Sequence, residues 1–335
     1  MSHKFPYEWY LKDGYPAKGI ESHGLKVFGT FICGGGSSMG YKLAGFEHLG
    51  GVEIDPPIAD IYKTNHSPKY LYNMDIRDFI KKDDIPEELF NLDLLDGSPP
   101  CSTFSMAGSR EKAWNKKKKF REGQKEQTLD DLFFEFIKLT DRLKPKVVVA
   151  ENVKGMIQGN ARAYVNEINK QFSKIGYRVQ LFLLNAASMG VPQKRERVFF
   201  VCSRKELNFP KLELSFDEKC IVAKSLSEKL INKKLITSGN ERHTLAGRSP
   251  FHDSNTTTPY TLTGTGNMVD YCDSVKIGDK FINPAKFNKT ELCKIGSYPL
   301  DYNFKKIKPQ YLIGMSVPPV MTAQISHQIY LQWFK

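Results

Sequence analysis

Short apolar runs recur through the first 203 residues, and most of them close on glycine or an acid. The stretch "LKVFGTFICGGG" (25 to 36) reads as a buried strand entering a glycine turn; "SSMGYKLAG" then has helical spacing, and "FEHLGGVEID" reads as a second strand. "NLDLLDG", "KPKVVVAENV" (144 to 153) and "RVFFVCS" (197 to 203) add further strands. Between them, "TLDDLFFEFIKLTDRL" (128 to 143) and residues 160 to 174 carry amphipathic helical spacing. Strand and helix alternate, so the pattern predicts an α/β fold with a doubly wound, mostly parallel sheet. Such sheets bind ligands at the carboxyl ends of their strands, where Gly34 to Gly36, Glu53, Asp96 to Cys101 and Glu151-Asn152 all fall.

From residue 204 the texture changes to loop-rich segments such as "TSGNERHTLAGRSPFHDSNTTTPYTLTGTGN", with little periodicity. The expectation is a second, smaller domain over 204 to 304. "YLIGMSVPPVMTAQISHQIYLQWFK" regains helical spacing, so residues 305 to 335 are predicted to rejoin residues 1 to 203 in the first domain.

Composition changes this picture in three ways. A hydrophobic share of 40% over 335 residues can build a sizeable core. A net charge of +12 points to a polyanionic partner. The six cysteines show neither C-x-x-C pairing nor zinc spacing, so neither a metal nor a disulfide framework is indicated. With no signal-like N-terminus and no run approaching the ~18 apolar residues of a membrane span, the expected setting is the cytosol, with no membrane partner.

Several residues carry candidate chemistry. Glycines after a first strand let a ligand approach the backbone closely, although a bland tight turn explains them equally well. Glu53, at the end of the second strand, is placed to accept from both hydroxyls of a ribose, and Asp75 from an exocyclic amine. No P-loop is present, so the ligand suggested is an adenosine lacking a bound triphosphate. Cys101 follows the rigid Pro99-Pro100 corner and precedes small polar residues, as a presented thiol would. Glu151 ends an apolar strand, where it can share a proton with substrate; taken alone, "ENV" reads better as an acid paired with a lysine. Arg195 and Arg197 lie two apart, suited to gripping a carbonyl or phosphate, or else part of a solvated charge run. The segment "REKAWNKKKKFREGQK" (110 to 125) has eight basic and two acidic residues interleaved with Trp114 and Phe120, beside the proposed nucleophile.

The order of these motifs resembles the cytosine-C5 DNA methyltransferase family of the bacterial and phage type. The likeness lies in "TFICGGGSSMGYKLAGFEHLGGVEID", Asp75-Ile76, "GSPPCSTFS", "ENV" and "QKRERV", with "GMSVPP" matching more loosely. The resemblance implies the S-adenosylmethionine-dependent methyltransferase fold and that cofactor, released as S-adenosylhomocysteine, with no metal. Phe31, Gly34, Gly35, Gly36, Glu53, Ile54, Asp75, Ile76, Pro100, Leu132 and Met315 would surround the cofactor. Cys101 would be the nucleophile and Glu151 its acid partner, while Arg197 and, more remotely, Arg195 would hold the target base and nearby phosphates. Ser105, Lys116, Lys117, Lys118, Lys119, Gln193 and Arg195 would meet DNA. The implied activity is methyl transfer to C5 of a flipped-out cytosine in a specific duplex DNA sequence through a covalent Cys–C6 intermediate. Double-stranded DNA is then the partner of a bacterial cytosolic monomer that a cognate restriction endonuclease accompanies. An RNA cytosine methyltransferase on the same fold is the alternative, but its Cys-Phe-Thr element is missing. The chain also departs from the family pattern: "GTFIC" replaces the usual Asp-Leu-Phe-x-Gly, Met315 stands where asparagine is usual, and Lys286 where an arginine is.

Overall fold

The alternation of side chains along a strand sorts this sheet's residues onto two faces. Val27 of β1 (Lys26–Thr30) packs into one apolar cluster and Phe28 into the other. In β5 (Val147–Val153), Val147 and Val149 take the first face, Val148 and Ala150 the second. Both faces are covered, which explains why the strand sequences read as continuous apolar runs. The computed structural model describes residues 4–100, 131–158, 161–236, 251–264, 270–272, 275–276, 280–281 and 285–335.

The remaining strands of the main sheet are β2 (Glu47–Val52), β3 (Tyr70–Tyr72), β4 (Leu94–Gly97), β6 (Tyr177–Asn185) and β7 (Glu196–Arg204). Their spatial order is β3-β2-β1-β4-β5-β7-β6. All run parallel except β7, which is antiparallel to both β5 and β6. The doubly wound, mostly parallel sheet is therefore the one the pattern predicts. Strands β3 and β6 escape the pattern because neither has a buried apolar run: β3 is half-buried throughout, and β6 exposes Leu181 and Leu183.

On the second face, α3 (Ile76–Phe79), α4 (Leu132–Leu143) and α5 (Arg162–Lys174) bury Phe79, Phe136 and Phe172. On the first lie α1 (Gly36–Leu43), α2 (Pro56–His66), α6 (Lys289–Gly296), α7 (Pro309–Met315) and α8 (Pro319–Ile329). Helix α2 starts on an Asp55 cap that accepts from the Ile58 amide and has proline in its first turn; α6 starts on an Asn288–Glu291 capping box. The N-terminal segment docks on the returning C-terminal part: the Trp9 indole donates to Ser297 O at 3.0 Å, and Asp301 accepts from the amides of Leu11 and Lys12.

Within residues 204 to 304, β8 (Lys234–Ile236), β9 (Phe251–Asp253) and β10 (Asp270–Cys272) form a small antiparallel sheet, and β11 (Val275–Lys276) pairs with β12 (Lys280–Phe281). Leu212, Leu226, Leu230, Leu235 and Leu262 belong to the same apolar cluster as α1 and α8. The C-terminal return is direct, because α8 crosses α1 at backbone contact distance. Gly40 permits that crossing, since a Cβ there would strike the Pro319 carbonyl and the Ala323 amide. Gly40→Ala is expected to lower the unfolding free energy by about 1–3 kcal/mol through overpacking, read from the denaturant midpoint at constant slope.

Candidate functional site

At the carboxyl ends of β1, β2 and β4 the sheet opens into a cleft with about 900 Å³ of empty space, counting its mouth. Eight of the eleven residues expected around a cofactor line it: Phe31, Glu53, Ile54, Asp75, Ile76, Pro100, Leu132 and Met315. They come from six separate stretches of chain, and the fold alone brings them together.

Glu53 is 8% exposed. Its Oε2 accepts from the Cys33 amide and its Oε1 from the Asp55 amide, each at 2.9 Å. Burial pushes its carboxyl up to about 7, against the pull of those amides. The carboxylate is thus held rigidly between the β1 turn and the start of α2, with lone pairs left for a diol. Asp75 caps α3, accepting from the Arg77 amide at 2.8 Å. Phe31 and Cys33 both adopt positive φ, 54° and 47°, which costs energy in residues other than glycine. The Cys33 amide bond to Glu53 helps offset that cost. Burial pushes the Cys33 thiol up to about 12, so it stays neutral.

Gly34, Gly35 and Gly36, expected beside the ligand, are buried and are not among the residues that line the cleft. A Cβ at Gly34 would meet Leu312, one at Gly35 His66, and one at Gly36 the Val317 carbonyl. Their missing side chains let α2, α7 and the chain before α8 close onto the turn. The Gly34 carbonyl in turn accepts from Tyr302 Oη at 2.5 Å, with His66 Nε2 at 3.3 Å.

Beside the cleft, at the end of β5, Glu151 Oε1 lies 2.9 Å from Arg197 Nε, the two side chains 13% and 14% exposed. Burial lowers the Arg197 pKa while Glu151 opposes the shift. The partner of this strand-end acid is therefore an arginine from the same motif set, not the lysine that "ENV" alone suggests. Next to it, Asn152 Nδ2 donates to Pro99 O at 3.0 Å, pinning the proline corner to β5.

Gln193 and Arg195 require a correction. They are 1% and 3% exposed, and neither is available to a phosphate. Arg195 donates through Nη1 to Leu262 O and through Nη2 to Gly314 O and Ser316 O. Gln193 donates to Ile295 O and accepts from the Leu262 amide. Carbonyls from distant parts of the chain accept from both terminal nitrogens of Arg195 and from the Gln193 amide, while Arg195 Nε is buried with no partner among the described residues. Burial lowers the Arg195 pKa to about 9, with Arg197 adding to the shift. Cys101, Ser105, Lys116, Lys117, Lys118 and Lys119 lie outside the described residues.

Sequence reading missed Cys33, Val52, Asp55, Ile58, Met74, Ser98 and Tyr311, which also line the cleft. Tyr311 had a usable signal, since it stands one helical turn before Met315.

The strand order, the single reversed strand and an acid at each of two adjoining strand ends define an α/β methyltransferase of the S-adenosylmethionine-dependent class. The family model for C-5 cytosine-specific DNA methylase matches residues 25–265, and the chain belongs to that family. It is 37% identical over 192 residues to Type II methyltransferase M.FnuDI of Fusobacterium nucleatum, covering 57% of this chain and 51% of that protein. Against M1.HphI of Haemophilus parahaemolyticus it is 27% identical over 334 residues, 91% of this chain and 86% of the relative. The chain thus spans about half of the first relative and most of the second. A putative DNA modification methyltransferase encoded within an E. coli prophage shares the fold, with a TM-score of 0.60 at 21% identity over 93% of this chain and 100% of that one.

Two outcomes follow from this geometry. A ribose diol favours the ionised form of Glu53, whose pKa of about 7 lies above the ordinary 4.5, so binding releases a proton and tightens as pH rises through 7. The Kd for S-adenosylhomocysteine should fall about tenfold between pH 6 and pH 8, while Glu53→Gln should bind more weakly and show no such slope in calorimetry. Arg195→Met should cost about 3 kcal/mol of stability by stranding three carbonyls. The slope of log K for DNA against log salt should not change in that variant, whereas loss of a phosphate contact flattens it by about 0.9.

Proposed function

We propose that this chain transfers a methyl group from S-adenosylmethionine to C5 of a cytosine flipped out of duplex DNA. The observation that carries the reading is the Glu151–Arg197 pair beside the Pro99-Pro100 corner, at the edge of a cleft lined by three carboxylates, Glu53, Asp55 and Asp75. The donor set fits the cofactor: Glu53 for the ribose hydroxyls, Asp75 for the adenine amine, and apolar walls from Phe31, Ile54, Ile76, Pro100, Leu132 and Met315. Bound there, the cofactor supplies a methyl group on a positively charged sulfur.

The remaining chemistry belongs to the protein. Inside a duplex, C5 and C6 are hidden in the stack, so the base must leave it. Cys101, which the pinned proline corner leads into, adds as thiolate to C6. Glu151 holds the N4 amine and shares a proton with N3, drawing electrons from the ring, and Arg197 orients the acid and grips the base carbonyl. Addition makes C5 electron-rich; after methylation, loss of the C5 proton and departure of the thiolate restore the aromatic ring. Residues 204 to 304 form the target-recognition part, and the basic segment 110 to 125 neutralises the DNA backbone. The enzyme acts as a cytoplasmic monomer alongside a cognate restriction endonuclease, a role supported by the Type II naming of its relatives. Among the described residues, no helix is long and apolar enough to cross a membrane.

Duplex DNA containing fluorinated cytosine, incubated with S-adenosylmethionine, should yield a covalent adduct at Cys101 by peptide mass mapping. Cys101→Ser should give none, and the equivalent RNA should not be trapped. Glu151→Gln should fold normally yet slow single-turnover methyl transfer by about a hundredfold or more. Undiminished transfer in either variant removes that residue from the mechanism.

A further inference from the structure

We propose that Arg77 sets the preference of the cleft for an aminopurine, by fixing the carboxylate of Asp75 in a single orientation. The inference rests on the reading of the cleft as the S-adenosylmethionine site.

Arg77 forks between two carboxylates. Its Nη1 lies 3.1 Å from Asp75 Oδ2, and its Nη2 lies 2.6 Å from Asp131 Oδ1. Its own amide donates to Asp75 Oδ1 at 2.8 Å. Both oxygens of Asp75 are therefore held by one residue, through its backbone and its side chain. Asp131 immediately precedes Leu132, and Leu132, Asp75 and Ile76 all line the cleft. Arg77 does not line the cleft, so it acts through Asp75 and is a positioning residue.

The chemistry turns this arrangement into selectivity. A carboxylate only accepts hydrogen bonds, and each oxygen of Asp75 keeps a further lone pair. An exocyclic amine on a purine satisfies it; a carbonyl oxygen at the same ring position sets acceptor against acceptor. The guanidinium fork is planar, so its contact with Oδ2 maintains the orientation of Asp75. Sites built to pair a ligand polar group reject analogues that lack the group far better than apolar pockets reject a size change. Without the Arg77 side chain, the contact at Oδ2 is lost and the cap bond from the residue 77 amide to Oδ1 remains, so the carboxylate is less firmly oriented.

The test is calorimetric binding of S-adenosylhomocysteine and of its 6-oxo counterpart, S-inosylhomocysteine, to the full chain. The intact protein should prefer the amino ligand by about tenfold or more. In Arg77→Met, which keeps an apolar stem, that ratio should fall to about threefold or less with the circular dichroism spectrum unchanged. Asp131→Ala, which removes the acceptor on the second arm of the guanidinium, should give an intermediate ratio and serves if Arg77→Met does not fold. A variant that binds both ligands more weakly at an unchanged ratio overturns the inference, because it makes Arg77 a general support. An intact protein that binds neither ligand, or binds both equally, overturns the reading of the cleft itself.

Discussion

Strand β7 runs against its neighbours, and the candidate catalytic pair depends on that reversal. In a parallel sheet only strand ends meet at the ligand edge; here the first residues of β7 lie beside the last residues of β5. The register sets Arg197 opposite Val153 and Phe199 opposite Glu151, so the guanidinium reaches back to the carboxylate two positions up the neighbouring strand. Burying either charge alone would cost several kcal/mol, whereas the pair meets this cost jointly and fixes the direction of the acid. The other side of the same strand end is tied by Asn152 to Pro99. One strand end therefore sets an acid, the cation paired with it and the proline corner in mutual register.

The cleft depends on a second constraint, which acts from behind the sheet. The turn after β1 holds two non-glycine residues at positive φ, and this conformation persists only under external support. Glu53 ties down the Cys33 amide, while Tyr302 donates to the Gly34 carbonyl from a position 268 residues later in the chain. The glycines admit this bracing, because α2, α7 and the chain before α8 press where side chains would otherwise stand. The turn that borders the cleft therefore rests on the packing of the C-terminal segment against α1. The N-terminal segment contributes by holding Ser297 and Asp301 in place.

Much of this was legible from local pattern. The strand-turn-helix opening, the acids Glu53 and Asp75 and the polar ends of β4 and β5 are local consequences of period-two and period-3.6 spacing. Gln193 and Arg195 were misread because an arginine's identity does not reveal its acceptors. Those acceptors are carbonyls of residues 262, 295, 314 and 316, whose approach only tertiary structure determines. The glycines were misread for a related reason: lack of a side chain is required equally by a ligand and by a packed neighbour, and the sequence does not distinguish them. The direction of β7 was hidden because "RVFFVCS", buried on both faces, reads alike in either orientation.

The Arg195 clamp links two parts of the chain whose roles differ. It joins Leu262, in the stretch assigned to target recognition, to Gly314 and Ser316, which flank the cleft residue Met315. Gly314 has no room for a Cβ against Thr263 and Gly264, and a Cβ at Gly264 would meet Met315 Sδ at 2.8 Å. The 260 to 264 strip and residues 314 to 315 are thus packed against one another with no space between them. The thioether of Met315 makes no directional bond to a ligand. Its contribution to the cleft is shape, set in part by the close contact with Gly264.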